Sequence, residues 1–143
     1  GAGTVLTTAD CRRVRDAGGR LMVSPNVEPD VLAAAAECGM VSMPGVFTAT
    51  EAFRALAAGA SGLKFFPAGA LGPSGISAIR AVLPAGALVA AVGGVSEKSF
   101  AGYAAVGVRV FGLGTSLYRP GDDAAQVRVR ARLSVAAYDE AFG

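Results

Sequence analysis

Short apolar runs alternate along the chain with longer Ala-rich stretches in which apolar residues recur every three or four positions; these are the periods of buried strands and amphipathic helices. The runs recur roughly every twenty residues, the rhythm of consecutive β-α units. Strands are expected at Gly3 to Leu6, Leu21 to Ser24, Met40 to Met43, Gly62 to Phe66, Leu88 to Val92 and Val108 to Leu113, with helices filling the gaps.

Local punctuation sharpens the helices. Thr7 or Thr8 can cap a first helix from Thr8 to Ala17, which Gly18-Gly19 stops. Pro29 suits the first turn of a second helix, and Gly39 follows its end. Thr48 and Glu51 have the spacing of a capping box ahead of a third. Pro73 lies near the start of a helix reaching Val82, and Ser96 and Ser99 offer caps for one ending near Gly107. A last helix is expected from Ala124 to Ala141, with Arg128, Arg130 and Arg132 on a solvated face.

Six successive β-α units fit either an open doubly wound sheet or the larger part of an eight-stranded (β/α)₈ TIM barrel. Two features favour the barrel. Glycine runs, Gly93-Gly94 and Gly112 to Ser116, follow the last two strands, where such barrels often bind phosphate. Polar or special residues also recur at successive strand ends: Thr4, Pro25, Pro44, Lys64, Gly93 and Ser116. The chain opens on Gly1-Ala2-Gly3-Thr4, which already reads as a strand reaching its active-site end. The expectation is therefore one domain over residues 1–143, holding the C-terminal six β-α units of a barrel whose first two units lie upstream.

Composition narrows the chemistry. Apolar residues make up 52% of the 143-residue chain and charged residues 17%, which excludes disorder and suits strands buried on both faces. The net charge is +2 and the 11 arginines are scattered, so no basic stripe for nucleic acid forms. Without histidine, His-based triads and His-rich zinc sites are excluded within the chain. Cys11 and Cys38 match no metal-ligand spacing and fit a reduced, cytoplasmic protein. No apolar run approaches a membrane span.

Only two lysines are present, Lys64 and Lys98, and Lys64 sits in the apolar run Leu63-Lys64-Phe65-Phe66-Pro67. Burial there disfavours the ammonium and promotes the neutral amine that attacks a carbonyl, the chemistry of a Schiff-base lysine. The alternative is a strand-end lysine that snorkels to solvent or pairs with a carboxylate. The two glycine runs are phosphate-cradle candidates, because glycine lets backbone N–H groups approach phosphate oxygens and a following helix N-terminus adds its dipole. Ser116 adds a hydroxyl.

Gly1-Ala2-Gly3-Thr4-Val5-Leu6, Ser24-Pro25-Asn26, Pro44-Gly45, Lys64-Phe65-Phe66-Pro67, Val92-Gly93-Gly94-Val95 and Gly112-Leu113-Gly114-Thr115-Ser116 stand in this order. Their order and spacing resemble those of the 2-keto-3-deoxy-6-phosphogluconate/galactonate aldolase family over essentially the whole chain. The resemblance implies a class I aldolase that makes pyruvate and glyceraldehyde 3-phosphate without a cofactor or metal. It implies Lys64 as the Schiff-base lysine, Thr4 near the pyruvyl carboxylate, and Pro25 and Phe66 as apolar walls. Gly93, Gly94 and Ser116 would form the phosphate end. It further implies a homotrimer, a phosphorylated keto-sugar acid as substrate, and no nucleic-acid or membrane partner.

The family's proton-shuttling glutamate and a substrate-binding arginine match no position here. Glu28, Glu51 and Glu97 read instead as caps or dipole partners. Val92, where gluconate-preferring members tend to carry threonine, points to the galactonate epimer. Two rivals stay open: another phosphate-binding barrel, an isomerase or synthase without a covalent lysine, and a catalytically incomplete fragment that only binds.

Overall fold

The computed structural model describes residues 1–143. In chain order its elements are α1 (Thr8–Asp16), β1 (Leu21–Val23), α2 (Pro29–Glu37), β2 (Val41–Met43), β3 (Gly45–Val46), α3 (Ala49–Ala57), β4 (Leu63–Phe65), α4 (Ala68–Arg80), β5 (Val89–Val92), α5 (Phe100–Ala105), β6 (Val110–Gly112) and α6 (Ala124–Phe142). A single 3₁₀ turn, Glu97–Ser99, leads into α5.

The caps follow the sequence closely. Thr7 Oγ1 accepts the Asp10 amide, Pro29 opens α2, and Thr48 and Glu51 form a complete capping box on α3. Two helices depart from expectation. α4 begins at Ala68, before Pro73, and is broken at Gly72, whose φ of 69° and ψ of 168° end one short turn and let Pro73 start the next. On α6, Arg128 and Arg132 are exposed as expected, but Arg130 is half-buried and forms an ion pair with Asp122.

The strands are parallel and fall into two sheets, β1-β2 and β3-β4-β5-β6. The division has a covalent cause. Pro44 separates β2 from β3 and has no N–H to donate, although its carbonyl still accepts the Lys64 amide at 3.0 Å. The expected strand from Gly3 to Leu6 is corrected to an isolated parallel bridge between Ala2 and Met22. Thr4 turns the chain out of register there: its φ of 56° is the only positive value outside glycine.

Alternation along the strands creates two faces. Val46, Leu63, Phe65, Val89 and Ala91 pack with Ala52, Ala55, Ile76, Phe100 and Tyr103 in a helix-facing core. A second cluster, centred on Met22, Leu32 and Ala35, seals α2 against β1. On the opposite face, Lys64 stands in register between Gly45 and Ala90, and Ala90 pairs onward with Val110. Small neighbours on both sides leave room for the lysine side chain. Because every strand runs the same way, their C-terminal ends share one rim.

Candidate active site

Lys64 is 7% exposed, although its flanking residues Leu63 and Phe65 are fully buried on the other face. Nζ donates to the carbonyl oxygen of Ser24 at 3.2 Å and lies 4.5 Å from the centre of the Phe66 ring. Both contacts favour the ammonium, yet desolvation outweighs them and holds the lysine below its ordinary range. No salt bridge involves Lys64, so no carboxylate opposes that shift. The result is a lysine more readily neutralised than a free one, confined by a short tether.

Lys64 faces a cavity of about 580 Å³ at the rim of the strands. Thr4, Val23, Phe66, Val92, Gly93, Gly94, Ser116 and Arg119 line it together with the lysine. The glycine at position 93 is required twice over. Its φ is 85°, and a Cβ there would lie 3.0 Å from the Phe66 ring. Gly45 meets a similar constraint, since a Cβ would lie 2.3 Å from the carbonyl oxygen of Pro25. That contact packs the loop after β1 against β3 and sets Ser24 beside the lysine.

The expected site residues converge with one exception. Thr4, Lys64, Phe66, Val92, Gly93, Gly94 and Ser116 all line the cavity, whereas Pro25 does not and acts through its backbone on Gly45. Ser116 Oγ donates to Val95 O at 2.9 Å, so its proton is engaged within the fold. Sequence reasoning passed over Ser24, whose contribution is a backbone carbonyl, and Arg119, whose position three residues after Ser116 was the available signal. A hollow of about 650 Å³ lies at the other side of Thr4, against α1, but has no lysine among its lining residues.

No cluster of three or more His, Cys, Asp or Glu side chains is disposed to hold a metal ion. The cavity offers an amine, two cations in all and no carboxylate, together with backbone N–H groups at paired glycines. Such a lining suits a carbonyl compound that carries negative charge. No helix is long and apolar enough to cross a membrane.

A probable 2-dehydro-3-deoxy-6-phosphogalactonate aldolase of Rhizobium meliloti (strain 1021) is 68% identical, over 100% of this chain and 68% of its own length. The native KDPGal structure is 44% identical with a TM-score of 0.96, covering 99% of this chain and 68% of that one. The KDPG aldolase of Legionella pneumophila, solved with pyruvate captured as a covalent carbinolamine, is 27% identical with a TM-score of 0.78, over 97% of this chain and 66% of that one. These neighbours share the TIM-barrel-type α/β fold, of which the parallel strands and outer helices here form part. The model of the KDPG and KHG aldolases matches residues 1–128, and the chain belongs to that aldolase family.

Proposed function

We propose that the protein is a class I aldolase that cleaves 2-keto-3-deoxy-6-phosphogalactonate to pyruvate and glyceraldehyde 3-phosphate. The observation that carries this reading is the desolvated Lys64 amine in a cavity that the Gly93-Gly94 turn also lines. The relative solved with pyruvate as a covalent carbinolamine supports addition of an amine to a keto acid.

In this mechanism neutral Lys64 Nζ adds to the C2 carbonyl to give a carbinolamine, which loses water to form an iminium. Removing the proton of the C4 hydroxyl breaks the C3–C4 bond; its electron pair flows into the iminium and leaves an enamine and an aldehyde. Protonation of the enamine at C3 and hydrolysis then release pyruvate and restore the amine. Ser24 O anchors the ammonium form between turnovers, and Phe66 and Val23 keep the reacting carbons dry. Thr4 is assigned to the pyruvyl end and Gly93, Gly94 and Ser116 to the phosphate end; Pro25 supports the wall from behind. None of the cavity's lining residues is a carboxylate, so the proton-transferring group is assigned to the part of the barrel that this chain does not contribute.

Val92, at the end of β5 and beside the glycine turn, is assigned the C4 discrimination. Valine offers a wall where threonine would offer a hydroxyl, and one such hydrogen bond is worth about 0.5–1.5 kcal/mol, roughly a three- to tenfold change in preference. Comparing kcat/KM for the galactonate and gluconate epimers in the parent and in Val92→Thr tests this. A galactonate preference that weakens in the variant is expected; equal rates in the parent would remove the assignment. The working form is proposed to be a cytoplasmic homotrimer built from whole barrels, and sedimentation of the native protein tests it.

A further inference from the structure

The phosphate end of the cavity has a charge problem that its glycines do not solve. Backbone N–H groups contribute partial charges, and the Ser116 hydroxyl spends its proton on Val95. A phosphate monoester is close to a dianion at neutral pH. Only two side chains lining the cavity are charged, Lys64 and Arg119, and Arg119 lies with Thr115 and Ser116 on the loop after β6.

Arg119 is held ready rather than neutralised. Its Nε donates to Thr115 O at 3.0 Å, which directs the guanidinium, and its terminal nitrogens make no hydrogen bond or salt bridge. The nearby carboxylate, Asp122, is fully engaged elsewhere. It accepts the Arg119 backbone amide at 2.6 Å and is gripped on both oxygens by Arg130. Arg130 therefore quenches the acid that would otherwise pair with Arg119. Lys98 and a second carboxylate, Glu97, line only an adjoining hollow of about 310 Å³, shared with Ser96, Ser116 and Arg119; neither lines the main cavity, and Glu97 forms no salt bridge.

We propose that Arg119 is a substrate-positioning residue whose free guanidinium edge binds the phosphate, while the Asp122–Arg130 pair keeps that edge available. The assignment rests on the aldolase reading of the site. A planar fork suits a phosphate oxygen pair, and a charge-assisted bond of this kind corresponds to about a ten- to hundredfold change in binding.

The test measures kcat/KM in the native full-length protein for the phosphorylated sugar acid and for the same acid without phosphate. In Arg119→Met the preference for the phosphorylated substrate is expected to fall about tenfold or more, through KM rather than kcat. Arg119→Lys, which retains charge but not the Thr115 tether, should recover part of it. Inorganic phosphate, a competitor in the parent, should bind Arg119→Met correspondingly less well. A preference unchanged within about twofold, or losses equal for both substrates, overturns the assignment. Borohydride trapping of pyruvate in the parent separates the two levels: failure there removes the aldolase reading and Arg119's role with it, whereas trapping with an unchanged preference removes only Arg119's.

Discussion

Lys64 reaches back forty residues to the carbonyl oxygen of Ser24, 3.2 Å from its Nζ, and this is its only hydrogen bond from the side chain. The amine is thus half-committed: located by one acceptor, stacked on Phe66, and otherwise desolvated. Lysine chemistry in this cavity depends on how those influences divide between the charged and neutral forms.

The rate of covalent adduct formation should rise with pH and reach half its plateau below the ordinary lysine value of 10.5, because burial favours the neutral amine. Replacing Phe66 by leucine removes an attraction available only to the ammonium, so the midpoint should move to still lower pH. A profile in Phe66→Leu shifted upward would show that the ring does not stabilise the cation.

The same imbalance predicts a stability effect. The folded pKa of Lys64 lies below its unfolded value, so between the two the unfolded chain holds more protons and stability rises with pH. At lower pH the lysine is charged in both states and the desolvation cost is fully present. Lys64→Met should abolish turnover yet stabilise the fold near neutrality, with the gain shrinking toward alkaline pH. Denaturant titrations at two pH values measure it; a variant less stable at both would contradict the account.

Much of the secondary structure was legible because its causes are local. Thr48 and Glu51 meet three residues apart, and the apolar run around Lys64 announces both a strand and its odd occupant. Thr4 was not legible in the same way. The hydrophobic pattern continues through Gly3 to Leu6, but a positive φ at Thr4, a β-branched residue, interrupts the pairing after Ala2, and contact with β1 resumes where the Val5 amide donates to Val23 O. Ser24 acts through its backbone, which side-chain reasoning does not see. Arg119 differs from ten other arginines only in which loop folds beside it and in Arg130 having taken its acid.

Thr4 supplies a further test. A left-handed conformation costs a non-glycine residue about 1–2 kcal/mol, whereas glycine's extra freedom in the unfolded chain costs about 0.5–1 kcal/mol. Thr4→Gly should therefore be slightly more stable while losing affinity at the pyruvyl end, the role proposed for Thr4 in the cavity it lines. A lower melting temperature with unchanged KM would remove both the strain and the role.

At Gly93 the two constraints act in the same direction. Gly93→Ala introduces a Cβ at positive φ and 3.0 Å from the Phe66 ring, so a loss of about 1–3 kcal/mol is expected. Weaker binding of phosphorylated substrate should accompany it. Thermal melts with and without inorganic phosphate separate the effects: the variant should melt lower and gain less from phosphate than the parent.

The most direct measurement is to incubate the native protein with pyruvate and sodium borohydride and map the added mass by peptide sequencing. Lys64 and Lys98 are the only lysines in the 143 residues, and they differ sharply, one buried in the cavity and the other exposed on the turn before α5. The account predicts a reduced pyruvyl adduct on the peptide containing Lys64 and none on that containing Lys98, with labelling lost in Lys64→Met. An adduct confined to Lys98 in folded protein, or no adduct under conditions that support turnover, would contradict it.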